Sequence, residues 1–158
     1  MIVYGVWRGA LAGLALAVLL AGPGRADTRC VTLSESGRQI VYPVAVGDKF
    51  ILTFAHSIYG SQIEEQFRVG RRGFESVQLR YSELRLVEFY GHESAKQDNG
   101  WWVVNNPGRE IPALDLHVSH AALMRIALGA HRIALGAPVA SDGRARLTAG
   151  GCPSIIYD

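Results

Sequence analysis

Residues 50–69 read F-I-L-T-F-A-H-S-I-Y-G-S-Q-I-E-E-Q-F-R-V, and no other stretch limits the fold so tightly. Phe50, Leu52, Phe54, His56 and Ile58 alternate with Ile51, Thr53, Ala55 and Ser57. Beyond Gly60-Ser61, Ile63, Glu65, Phe67 and Val69 alternate with Glu64, Gln66 and Arg68. A period of two sends successive side chains to opposite faces, so both arms read as strands. Gly60-Ser61 suits a two-residue hairpin loop, because glycine takes the positive φ that a primed turn requires. Counting outward predicts Tyr59 opposite Gln62, Ile58 opposite Ile63, Ser57 opposite Glu64 and His56 opposite Glu65. It also predicts Phe54 opposite Phe67 and Leu52 opposite Val69, which makes the two apolar faces coincide.

His56 and Glu65 interrupt that apolar face. A carboxylate there is costly unless it is paired and hydrogen-bonded, and the predicted register supplies a partner across the strands. Two readings follow. In one, the pair is a buried structural device that pins the register. In the other, His56 and Glu65 form the floor of a cleft, as acid and base or as metal ligands, flanked by Ser57, Tyr59, Gly60 and Glu64. A Ser-His-Glu hydrolase built from Ser57, His56 and Glu65 is disfavoured, because on a strand Ser57 points away from His56. No G-x-S-x-G elbow is present. A zinc site needs a further ligand, from among His92, His117, His120 and His131. His117 and His120 form H-x-x-H, but that odd spacing on a strand sends the rings to opposite faces. No metal ligand or cofactor is assigned on these grounds.

The first 26 residues have the pattern of a secretory signal peptide: Arg8, an uncharged run over Gly9–Ala21, then Gly24-Arg25-Ala26 before a cut. The run is short for a spanning helix, and an uncleaved anchor is the alternative. Residues 27–158 then form one domain, periplasmic or secreted. Removing Arg8 and Arg25 reduces 16 basic residues to 14, against 14 acidic ones, so the formal +2 disappears. A balanced domain lacks the basic footprint of nucleic-acid binding, and the Arg71-Arg72 cluster reads as a solvated turn. The two cysteines, Cys30 and Cys152, lie near the ends of the domain. In an oxidising compartment they are expected to pair.

Along the rest of the chain, strands are expected at 29–34, 38–46, 74–81, 101–104, 111–119, 131–135 and 144–149. Pro43 marks its strand as an edge or bulge. Val77, Leu79 and Tyr81 form the inward set of 74–81. Residues 82–91 read as strand or extended chain, 123–128 as strand or helix, and 92–100 as a polar surface loop. Trp101-Trp102 places one indole on each face. These segments predict an all-β domain, an antiparallel sandwich or barrel of about nine to eleven short strands.

His56-Ser57-Ile58-Tyr59-Gly60-Ser61-Gln62-Ile63-Glu64-Glu65, with Phe67 and Val69 behind, resembles the core of the bacterial family known as domain of unknown function 1850. Its members are small and exported, with an H-S-V/I motif, a V/I-E-E segment, a tryptophan strand and a β-rich end. Gln62 stands where the family often has proline, and Ser82–Arg85 where it tends to be glycine-rich. The family carries no assigned activity. It is associated with TRAP transporters of the TAXI type, and the resemblance implies an accessory or binding role beside such a transporter. The competing expectation is an extracytoplasmic metal-binding protein or enzyme that uses His56 and Glu65. Contact with a membrane is expected only through an uncleaved signal segment.

Overall fold

A computed structural model describes residues 28–153 except 107, 109, 120–122 and 137–142. The predicted signal segment, the cut after Ala26, His120 and most of the predicted loop at 138–143 lie outside the described residues. The strands are β1 (Thr28–Glu35), β2 (Arg38–Ala45), β3 (Lys49–Ala55), β4 (Gln62–Val69), β5 (Phe74–Tyr81) and β6 (Lys96–Asp98). They continue with β7 (Trp101–Asn105), β8 (Glu110–Ile111), β9 (Ala113–His117), β10 (Arg125–Leu128), β11 (His131–Ala134) and β12 (Arg144–Gly150). One helix, α1 (Leu84–Phe89), lies between β5 and β6.

Two antiparallel sheets result. The smaller has the order β2-β1-β12-β9, and the larger β11-β10-β3-β4-β5-β7-β6, with β8 beside β5. The fold is all-β, as the alternation predicts, with twelve strands among the described residues. Val31, Leu33, Ala145 and Leu147 of the small sheet share one core with Phe50, Leu52, Phe67, Val69, Phe74, Ile126 and Leu128 of the large one. The architecture is therefore a sandwich. Phe50 stacks on Phe67 at 4.7 Å between centroids and meets Phe74 edge-on at 5.1 Å. β2 is the outer strand of its sheet, where Pro43 withholds no needed ladder donor.

Cys30 of β1 and Cys152 beyond β12 form the predicted disulfide, with Cα atoms 4.8 Å apart. β1 pairs with β12 from Cys30 opposite Gly150 to Glu35 opposite Ala145, so the bridge closes the end of an existing ladder.

The hairpin register differs from the prediction. β3 ends at Ala55 and β4 begins at Gln62, so the loop has six residues rather than two. Leu52 lies opposite Glu65, Phe54 opposite Ile63 and Phe50 opposite Phe67. The slip is four residues, an even number, which leaves the side chains of β3 and β4 on their predicted faces and changes only their neighbours, while residues 56–61 leave the ladder.

The inward set of β5 is also different. Its register against β4 shifts between Gln66 and Phe67, where Val77 is the extra residue of a bulge. The β5 partners of the inward β4 residues are therefore Phe74, Ser76, Leu79 and Tyr81. Ser76 is buried and accepts a hydrogen bond from Asn106 Nδ2 at 2.9 Å.

Residues 84–89, read as extended from sequence, form α1. Leu86 and Val87 are buried in a second core with Ile63, Tyr81 and Val104, beside Phe54 and Trp102. The helix covers the part of the large sheet that this second core occupies. Its end is a Schellman motif: His92 N–H donates to the Val87 carbonyl and Gly91 N–H to that of Glu88, each at 3.0 Å, with Gly91 at φ 69°. Part of the predicted 92–100 loop is strand β6, joined to β7 by an Asn99-Gly100 turn with both φ positive, as a type I′ hairpin requires.

Candidate functional site

The six-residue tip of the β3–β4 hairpin is organised by His56. Its Nδ1 accepts hydrogen bonds from the N–H groups of Ile58 and Tyr59, each at 3.3 Å. Its own N–H donates to the Ser61 carbonyl, and its carbonyl accepts from Gly60 N–H, both at 2.8 Å. Gly60 has φ 67°, as expected for the residue that lets the chain turn back. An imidazole whose Nδ1 accepts two donors carries its proton on Nε2 when neutral. The ring is buried, stacked on Tyr59 at 5.0 Å, and met edge-on by Phe89 at 4.9 Å and Tyr90 at 5.8 Å.

Glu65 is on the inner face as predicted, but His56 is not its partner. Its cross-strand neighbours are Leu52 and Leu79, and no hydrogen bond or ion pair reaches it among the described residues. It marks the boundary between the two cores, with Phe67 in one and Ile63 in the other. Burial raises its pKa above the ordinary carboxylate value. Tyr81 and Tyr90 stack at 5.6 Å nearby, and the Tyr81 hydroxyl lies 2.7 Å from His92 Nε2. Burial pushes both phenols above their usual value, reinforced by the Tyr90 and Glu65 charges at Tyr81 and by Glu65 at Tyr90. Phenols shifted upward are hydrogen-bond donors, not nucleophiles or general bases at neutral pH.

The tip is fastened to α1. Ser61 Oγ donates to Glu83 Oε1 at 2.5 Å and accepts from Arg85 Nη2 at 3.1 Å, while Arg85 Nε meets Glu83 Oε2 at 2.5 Å. The bond from Ser61, then the bond and the charge of Arg85, hold the Glu83 carboxyl below its ordinary value. Gln62 N–H donates to Ser82 Oγ at 2.9 Å, and the Arg85 guanidinium lies 4.7 Å above the Tyr59 ring. Several apolar side chains here remain in solvent: Ile58 is 69 % exposed, Tyr59 37 %, Leu84 43 %, Phe89 49 % and Tyr90 45 %. Phe89 lies 5.7 Å from Tyr59 and 5.2 Å from Tyr90, so these rings form one surface.

The other predicted neighbours disperse. Ser57 is exposed in the tip. Glu64 is on the outer face, where Arg80 Nη1 donates to it at 2.8 Å and Arg80 lies 4.9 Å over Trp101. Trp102 takes the opposite face, against the second core. His117 is exposed on β9, and His131 lies 4.9 Å from Tyr42. Among the described residues, no group of three or more His, Cys, Asp or Glu is placed to hold a metal. An open cleft of about 730 Å³ lies elsewhere, along Glu35, Asp115, His117 and Arg146, and Arg146 grips Asp115 there at 2.7 and 2.9 Å.

Sequence reasoning missed Tyr81, Glu83, Arg85, Phe89, Tyr90 and His92 as members of the site. Leu84 and Val87 at i and i+3, closed by Gly91, were the available signals of the helix that brings them there. Comparison of the chain with protein-family models, with curated proteins and with solved structures finds no match.

Proposed function

We propose that the protein is an exported, non-enzymatic binding module that docks a protein partner through the face of Ile58, Tyr59, Leu84, Phe89 and Tyr90. The observation that carries this reading is the exposure of those five side chains, Ile58 and Tyr59 on the tip and Leu84, Phe89 and Tyr90 on the helix segment locked to it. Tyrosine, phenylalanine and arginine are enriched at the centres of interfaces, and a preformed surface loses less entropy on association. The Cys30–Cys152 bridge supports an oxidising compartment, in keeping with a signal peptide at residues 1–26 and a periplasmic location. The resemblance of the hairpin to the domain of unknown function 1850 supports a component of a TAXI-type TRAP transporter as the partner.

The reading that makes His56 and Glu65 a catalytic or metal pair is less well supported. His56 Nδ1 is committed to the tip backbone, and Glu65 faces leucines. Photo-crosslinking from position 59 in the native envelope tests the docking reading. A crosslink to a transporter component, lost in an Ile58→Ser/Phe89→Ser variant of unchanged melting temperature, is the expected result. Equal crosslinking by that variant, or none to any transporter component, overturns it.

A further inference from the structure

Four arginines converge at the end of β4 opposite the hairpin tip. Arg29 of β1, Arg68 of β4, and Arg71 and Arg72 of the β4–β5 loop line an open cleft of about 680 Å³, in which Glu75 and Glu110 are the only acidic residues among the described ones. β4 spans eight residues, which puts the cleft about 24 Å from the tip at the rise of an extended strand. The two surfaces are therefore separate.

The cleft is built by main-chain contacts. Gly70 N–H donates to the Gly73 carbonyl at 2.8 Å and closes the loop that carries Arg71 and Arg72. Val69 N–H donates to the Asp48 carbonyl at 2.7 Å, and Gly47 N–H to that of Val69 at 2.8 Å, joining the β2–β3 turn to the same edge. Gly73 packs so closely on the β8 end that a Cβ there would run into the Ile111 carbonyl.

The charges do not cancel. Arg68 stands 3.7 Å from Glu75 and Arg72 3.6 Å from Glu110, both beyond hydrogen-bond distance and open to solvent. Arg71 makes no ion pair or hydrogen bond among the described residues. Guanidinium forks match the two oxygens of a carboxylate or phosphate, and such bidentate pairs are stronger than loose surface ion pairs. We infer that this cleft binds a small oxyanion, a carboxylate or a phosphate group, with Arg68, Arg71 and Arg72 as its donors.

Calorimetric titration of the purified protein with inorganic phosphate and with citrate, at ionic strength held constant with chloride, tests this. A parallel arm uses phosphatidylcholine vesicles with and without phosphatidylglycerol. One saturable site per chain is expected, weakened roughly tenfold or more in Arg71→Ala/Arg72→Ala. Glu75→Gln should tighten it by removing a competing carboxylate, and the distant Lys96→Ala should leave it unchanged. Binding to anionic vesicles alone, lost in the double variant, identifies the oxyanion as a lipid headgroup; binding of free ions identifies it as soluble. Absence of saturable binding in both arms overturns the proposal, as does equal binding by the folded double variant.

Discussion

The Tyr81 hydroxyl lies 2.7 Å from Nε2 of His92, and so fastens β5 to the turn that ends α1. Tyr81 is also a wall of the second core, opposite Ile63 on β4 and Trp102 on β7. This contact and the Ser61–Glu83–Arg85 group hold the two ends of the helix against the sheet.

Tyr81→Phe keeps the ring and removes the bond, so it should cost about 0.5–1.5 kcal/mol in urea unfolding at pH 7. The pH dependence follows from the raised phenols Tyr81 and Tyr90. Their folded values lie above the unfolded one, near pH 10, so their contribution is complete below that pH and lost as pH rises through the folded values. Melting temperature should fall steeply above about pH 10, and less steeply in Tyr81→Phe. A parent and variant with parallel alkaline profiles would contradict this.

Glu65 has a folded pKa raised by burial, above an unfolded value of about 4.3. Its contribution is full below the unfolded value and lost as pH rises through the folded one, so at pH 7 the carboxylate weakens the fold. Glu65→Gln should therefore raise the urea midpoint at pH 7 and leave it near the parent's at about pH 3.5. A glutamine variant weaker than the parent at pH 7 would reveal a partner for the carboxylate.

His56 supports the tip through its Nδ1 acceptor. His56→Ala should cost about 1–3 kcal/mol, because it removes a buried ring and leaves two N–H donors without that partner. His56→Asn should recover part of this, since its side-chain oxygen can accept from the same amides. Hydrogen exchange at Ile58 and Tyr59 measures the effect locally, and protection unchanged in His56→Ala would refute the role.

The disulfide spans a sequence separation of 122 residues. On the chain-entropy account, Cys30→Ala/Cys152→Ala should lower stability by about 4–5 kcal/mol. Intact mass without reductant should show no free thiols, and two alkylatable thiols in the parent would count against the bridge.

The sequence alone determined the strand class, the faces of the central hairpin and the cysteine partnership. Alternation over 50–55 and 62–69 is a local property, because the pleat sets where each side chain points before any partner arrives. It could not determine that Leu52, rather than His56, lies opposite Glu65: every even slip preserves the faces. Loop length selected among the registers, and the His56 Nδ1 bonds and the Phe50–Phe67 stack are what support the longer loop. The bulge at Val77, which turned Ser76 inward, is a property of the β4–β5 pair and leaves no mark in β5 alone. Residues 84–89 are too few for a helix that stands by itself, so only burial of Leu86 and Val87 on Ile63, Tyr81 and Val104 made them one. That burial brought Phe89 and Tyr90 beside Tyr59. The exposed face of the tip was thus decided by tertiary packing, which joins residues about thirty positions apart that no short-range pattern relates.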